Sequence, residues 1–146
     1  STLSLSSAAS DVYKRQETTV PSVLNPLISC DNRSEYVGQY TDNGTEPYDA
    51  FILNYGSIIN LNTHNQLKFK LYSSSSIQVL AKLEGGSAIE KWSDFSAINT
   101  WQEFSYDFSD SIDNENTTLV LFFNAGQNNG NPQDIYHIDE LRWEEN

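Results

Sequence analysis

Three stretches decide how this chain folds: Leu67-Lys-Phe-Lys-Leu-Tyr72, Ile77-Gln-Val-Leu-Ala-Lys-Leu-Glu84 and Ile135-Tyr-His-Ile-Asp-Glu-Leu-Arg-Trp143. In the first, Leu67, Phe69 and Leu71 share one side while Lys68 and Lys70 share the other. In the second, Ile77, Val79, Ala81 and Leu83 stand opposite Gln78 and Lys82. A period of two marks a strand with one face buried and one face wet. Phe104, Tyr106 and Phe108 repeat it against Ser105 and Asp107. Working outward, further strands are predicted near 20–24, 36–40, 49–53, 58–61, 87–94 and 118–123, with Ser, Asn, Asp and Gly between them. Frequent short strands with no helical run between them make the fold all-β, a two-sheet antiparallel β-sandwich. Its core is expected to hold Leu67, Phe69, Leu71, Val79, Leu83, Phe104, Phe108, Leu121 and Phe123.

Composition narrows what such a sandwich can do. Eight Lys and Arg against 20 Asp and Glu leave a net charge of −12 over 146 residues. That balance argues against nucleic acid and against anionic membrane, both of which need a basic footprint. It suits a solvated extracellular surface or a cation-binding protein equally. No apolar run reaches the length of a membrane span. Cys30 is the only cysteine, so no internal disulfide can form and the fold must stand on its core, with or without a metal. Asn32, Asn43 and Asn116 each open an Asn-x-Ser/Thr sequon, which chance accounts for in so Asn-rich a chain.

Methionine is absent even at position 1, so the chain is expected to be a piece of a longer protein. Residues 1–16, Ser1 to Gln16, are small and polar at first and then without strand or helix period. They read as a linker or foreign segment, with the folded module at 17–146. They lack the basic start and apolar run of a signal peptide. The longest polar loop, Asn124 to Asp134, carries Asn124, Asn128, Asn129, Gly130, Asn131 and Pro132. Loops of that length in a compact domain are more often functional than idle.

Short motifs in order along the chain carry a resemblance. They are Asn25-Pro26, Asn32-Arg-Ser34 with Val37, Pro47-Tyr-Asp-Ala50, Lys82-Leu-Glu84, Thr100-Trp-Gln-Glu103 with Asp107-Phe-Ser109, Leu121-Phe-Phe123 and Tyr136-His-Ile-Asp-Glu-Leu141. As a set, spanning about Val20 to Trp143, they resemble the jelly-roll, galactose-binding-like carbohydrate-binding modules of secreted bacterial glycoside hydrolases and polysaccharide lyases. The chain departs from that pattern at its start, where such modules open with an acidic strand and this one has the Ser/Ala-rich segment. The resemblance implies a non-catalytic module that targets a secreted or cell-surface enzyme to its polysaccharide. It also implies a monomer tethered to other domains.

A pyranose ring presents a face of C–H groups that packs on Trp or Tyr, while its hydroxyls need planar polar partners. Alternation puts Trp92 on one side with Glu90 and Asp94, which makes it a candidate stacking platform. Tyr48, just after Pro47 at the mouth of a strand, is the second. Arg33 and Asn124 are candidate hydroxyl partners on loops, and Tyr40 and Tyr55 are weaker aromatic candidates. Trp101 and Trp143 are expected to be structural. The strand at Thr118–Phe123 is apolar on both sides, so one side is either covered by a loop or floors a groove.

The last strand changes its inward phase between Ile138 and Leu141, which implies a bulge at Asp139-Glu140. In similar modules the first acidic residue of this motif ligates a structural calcium tying the last strand to the first. Carried to this chain, that residue is Asp139 and the cofactor Ca²⁺, a hard cation that takes oxygen ligands. Glu17 is the one carboxylate in the first-strand neighbourhood. Catalysis has little to stand on. The Glu-x-Asp-x-x-Glu signature of jelly-roll endoglycosidases is absent, and His64 and His137 have no nucleophile motif beside them. Two isolated histidines and one cysteine also lack zinc-ligand spacing. Two other readings stay open at this level: a fragment of a jelly-roll glycoside hydrolase or polysaccharide lyase, and a ligand-free adhesion or spacer domain.

Overall fold

The computed structural model describes residues 20–42, 48–126 and 134–146. The expected linker at 1–16, together with Glu17, Asn43, Pro47 and most of the polar loop after Gly126, lies outside the described residues. Among these residues nine strands run antiparallel: β1 (Ser22–Leu24), β2 (Tyr36–Thr41), β3 (Phe51–Asn54), β4 (His64–Tyr72), β5 (Ile77–Glu84), β6 (Ile89–Phe95), β7 (Trp101–Asp107), β8 (Thr118–Phe123) and β9 (Ile135–Glu145). They form a five-stranded sheet, β1-β2-β9-β4-β7, and a four-stranded sheet, β3-β8-β5-β6. Strands adjacent in the chain mostly lie in different sheets or non-neighbouring places. That interleaving is the jelly-roll arrangement, and it matches the expected fold class.

The alternating residues meet between the sheets. Leu67, Phe69, Leu71, Val79, Leu83, Phe104, Phe108, Leu121 and Phe123 are all buried in one cluster, as alternation predicts. Phe69 stacks on Phe104 with centroids 5.1 Å apart, and Tyr40 meets Phe123 edge-on at 5.2 Å. The Tyr106 hydroxyl donates to the carbonyl of Val79 across the core at 3.0 Å, joining one sheet to the other. Desolvation holds that phenol well above its ordinary range.

Two local expectations change. Residues 58–61 form no strand: the Ile59 amide donates to the carbonyl of Asn116, Leu61 plugs the core, and Ile58 is exposed. The chain there caps the end of the sandwich instead of joining a ladder. A short 3₁₀ helix, Ser109–Asn114, follows β7. The sequons at Asn32 and Asn116 are buried; both amides donate hydrogen bonds inside the fold, which leaves neither nitrogen available for a glycan.

The start of that 3₁₀ helix is fixed by Asp107, and it carries a pH signature. The Ser109 side chain and amide and the Gln66 amide donate to its carboxylate, the last two at 2.9 and 2.8 Å, and lower its pKa from 3.8 to about 2. A depressed folded-state value stabilises above the unfolded value and loses that stabilisation as pH falls through the folded one. Wild type is therefore expected to be more stable than Asp107→Asn above pH 4, with the difference closing between about pH 4 and pH 2. Thermal melts of both proteins across that range check it; a gap that does not change with pH would contradict it.

Candidate functional site

The outer face of the four-stranded sheet is not an ordinary wet face. Register pairs put Phe122 beside Leu80 and Leu80 beside Trp92 in one row across β8, β5 and β6. Ile52, Val120, Lys82 and Glu90 form the next row. Side chains opposite one another on antiparallel strands share a face, so these rows are the side that faces away from the core. Tyr48, in the turn before β3, extends the first row. Its ring meets that of Phe122 edge-on, 6.2 Å between centroids at 86°, and its hydroxyl end lies along Gly126, where a Cβ would sit 3.4 Å from it.

The result is an apolar strip running Tyr48, Phe122, Leu80, Trp92. Leu80 and Val120 form a closed floor at 3% and 2% exposure, while Tyr48 and Trp92 stand up from its ends at 63% and 49%. The doubly apolar strand 118–123 thus floors an open surface. Alternation in the sequence located Trp92, Glu90 and Asp94 correctly on one side. It missed Leu80, whose signal was the unbroken run Val79-Leu80-Ala81 inside an otherwise alternating strand.

Polar groups border the strip on both sides. Lys82 pairs with Glu84 at 3.0 Å and Glu90 at 3.9 Å. On the other side Gln78 stands opposite Asp94, and beyond them opens a cleft of about 510 Å³ lined by Ser76, Gln78, Asp94, Ser96 and Asn124 over Phe95. Asn124 takes a left-handed conformation (φ 62°) and its backbone N–H donates to the Gln78 backbone carbonyl at 2.8 Å. Asn tolerates that region better than most residues, because its short side chain can bond locally. The bond closes the turn against β5 and keeps Asn124 at the cleft wall.

Arg33 is not part of this surface, which corrects the expectation that it works beside Tyr48 and Trp92. It belongs to the loop 25–35, which crosses the outer face of the other sheet. Trp101, opposite Tyr72 on that face, donates its indole N–H to Asn25 Oδ1 at 3.1 Å and to the Leu27 carbonyl at 3.0 Å. The whole sandwich stands between Arg33 and the apolar strip. Among the described contacts its guanidinium reaches only the Cys30 sulfur, at 4.0 Å. Tyr40 is buried in the core, and Tyr55 accepts a hydrogen bond from the Trp143 indole while burial pushes its hydroxyl up to about 12.

Asp139 lies under the same loop. It is 0% exposed; Asn32 Nδ2 donates to its Oδ2 at 3.0 Å, while its Oδ1 is buried without a partner among the described residues. The bulge sits at Glu140–Leu141, one residue beyond its expected place: both residues face the single Phe69 between the Lys68–Arg142 and Lys70–Asp139 pairs. Glu140 takes a positive φ of 53° there and pairs with Lys70 at 2.6 Å. Among the described residues no three His, Cys, Asp or Glu side chains converge as a metal cluster. His64 and His137 lie apart, the first beside Thr63 and the second packed edge-on to Tyr72 at 5.9 Å. Burial lowers the pKa of His137. No described helix is long and apolar enough to cross a membrane.

No protein-family model and no curated protein matches the chain. Solved structures do. An exo-β-agarase superposes with a TM-score of 0.65 at 10% identity, over 87% of this chain and 22% of the agarase. TmCBM61 in complex with β-1,4-galactotriose gives 0.54 at 12% identity, over 100% of this chain and 88% of that one. A family 11 carbohydrate-binding module from Clostridium thermocellum, in complex with a β-1,3-1,4-mixed-linked tetrasaccharide, gives 0.55 at 11%, over 99% and 88%. This chain therefore has the jelly-roll β-sandwich fold of carbohydrate-binding modules.

Proposed function

We propose that this domain binds a polysaccharide without cleaving it, on the outer face of the four-stranded sheet, with Tyr48 and Trp92 as stacking platforms. The observation that carries the reading is the apolar strip: a closed aliphatic floor with an exposed aromatic ring at each end. A flat ring holds a sugar face through C–H contacts, and the bordering amides and carboxylates then read hydroxyls. Similar folds solved with a galactotriose and with a mixed-linked tetrasaccharide support it. A binding reading is favoured over a hydrolytic one because carbohydrate-binding modules superpose on this chain over 88% of their own length, whereas the agarase does so over 22% of its own. The superposition on 22% of an agarase supports a place for this domain beside a glycoside hydrolase or polysaccharide lyase in a secreted or cell-surface parent.

Each contact largely replaces one made with water, so single-site affinity is modest and a repeating polymer supplies the avidity. Tyr48→Ala and Trp92→Ala are expected to abolish retardation of the domain in polysaccharide-containing gels while leaving the melting temperature nearly unchanged. Unaltered retardation in both variants would overturn the site. Release of reducing ends or unsaturated sugars by the purified domain would overturn the non-catalytic reading.

We also propose Asp139 as a ligand of a structural Ca²⁺. The fit rests on its unpartnered, fully buried Oδ1, an oxygen that calcium would satisfy. The loop 25–35 would supply carbonyl and amide oxygens, which calcium accepts as readily as carboxylates.

A further inference from the structure

We infer that the ligand of this face is a neutral polysaccharide, and that the cleft beside Trp92 seats one of its sugar units with hydroxyls held on the Asp94 carboxylate. The inference rests on the sugar-binding reading above and adds to it a second subsite and a charge class.

Continuity comes first. Asp94 lies two residues along β6 from Trp92, and Gln78 two along β5 from Leu80, each on the same face. A step of two strand residues covers roughly 7 Å, so the cleft flanks the strip beside Trp92, within reach of a sugar unit stacked on that ring. The volume of about 510 Å³ falls within the about 300–1,000 Å³ of small-ligand sites.

The free polar groups come second. Among the described residues no hydrogen bond or ion pair engages the side chains of Gln78, Asp94 or Asn124; the nearby Gln102 amide donates to the backbone carbonyl of Asp94, not to its carboxylate. A carboxylate is acceptor-only and takes two hydroxyl donors at once, while Gln and Asn amides each offer both functions. Sugar hydroxyls meet all three.

Charge decides the class. A uronate or sulfate entering here would face Asp94, and Glu90 stands on the same face. Among the described residues the one cation of that face, Lys82, is already shared between Glu84 and Glu90. No arginine among the described residues stands on it to receive an anion in the bidentate manner that recognises carboxylates and sulfates. Repulsion without compensation excludes the anionic polymer, and the same carboxylate favours the neutral one.

The test is affinity electrophoresis of the full chain at low and high salt. The gels hold mixed-linkage β-glucan, β-1,4-galactan, polygalacturonate or alginate, with melting temperatures recorded for every variant. Retardation is expected in a neutral gel and absent from both anionic gels even at low salt. Asp94→Ala and Asp94→Asn are expected to weaken it about tenfold or more, as loss of a charged hydrogen-bond acceptor does, without lowering the melting temperature. Asn124→Ala weakens it less. If Trp92→Ala abolishes retardation and both Asp94 variants bind like wild type, the cleft subsite is wrong and the sugar-binding face stands. Retardation by polygalacturonate or alginate overturns the neutral class. Retardation in neutral gels that survives Tyr48→Ala and Trp92→Ala, or none in any gel, overturns the underlying reading instead.

Discussion

Trp101→Ala is expected to cost the domain about 3–5 kcal/mol, the range for removing a buried tryptophan, and to lower its melting temperature by roughly 10–15 °C. Trp101 is buried although it sits on the outer face of the five-stranded sheet, because the loop 25–35 folds back over it. Its ring packs against Tyr72 at 5.7 Å, and its N–H is shared between Asn25 and Leu27. Asn25 is itself the hub of the loop: its Oδ1 accepts from the Leu27 amide at 2.8 Å and its Nδ2 donates to the Ser34 carbonyl at 2.9 Å. Truncation removes both the packing and the tether. Trp101→Phe keeps the six-membered ring but loses the five-membered one with its donor, so it should cost less than the alanine variant, about 1–3 kcal/mol. Hydrogen exchange separates the effects: the Leu27 and Ser34 amides lose protection in both variants, while core amides of β4 lose it only in the alanine one. A change within about 0.5 kcal/mol for Trp101→Ala, typical of a surface site, would show that the loop is not held this way.

That loop also marks where the sequence stops being readable. Strand positions were legible because burial on one face writes a period of two into β4, β5 and β7, and the same rule placed Trp92 with Asp94. A loop lying over a sheet has no such period. Asn25 and Trp101 are 76 residues apart and meet only because β7 is the edge of one sheet and the chain returns over it. Arg33 was misplaced for that reason: Asn32-Arg-Ser34 looks like any polar loop, and nothing local says which side of the sandwich it covers. Residues 58–61 failed differently. Ile58, Ile59 and Leu61 have the composition of a strand, but Leu61 fills the core with Ile59 packed half-buried against it, and the Ile59 amide bonds to the loop before β8. Apolar content reports burial, and burial can be met by a plug as well as by a ladder. Leu80 was hidden in another way: it is the one apolar residue on the Gln78–Lys82 side of β5, and an alternating strand reads that side as wet.

Calcium is expected to raise the melting temperature of the wild-type domain and to do nothing for Asp139→Asn. A ligand bound only by the folded state, at a hundred times its dissociation constant, adds about 2.7 kcal/mol, or roughly 5–10 °C in a domain of this size. The reason to expect it at Asp139 is the asymmetry of its carboxyl group. One oxygen has the Asn32 amide; the other is buried with nothing to bond, and an unmet buried acceptor costs about 1–3 kcal/mol. A cation on Oδ1 removes that cost and pins the loop to β9 at the point where the bulge bends it. Asp139→Asn keeps the shape and an oxygen toward Asn32 but gives up the charge, so calcium should no longer be felt. Asn32→Ala probes the other half of the pair: it leaves the carboxyl without its one donor and should destabilise more in chelator than in calcium, because the ion then supplies the only compensation. Melting curves in calcium and in chelator for these three proteins separate the cases. If chelator leaves the wild-type curve where it was, Asp139 is a buried hydrogen-bond acceptor for Asn32 and nothing more, and Asp139→Asn should then match or exceed the wild type in stability.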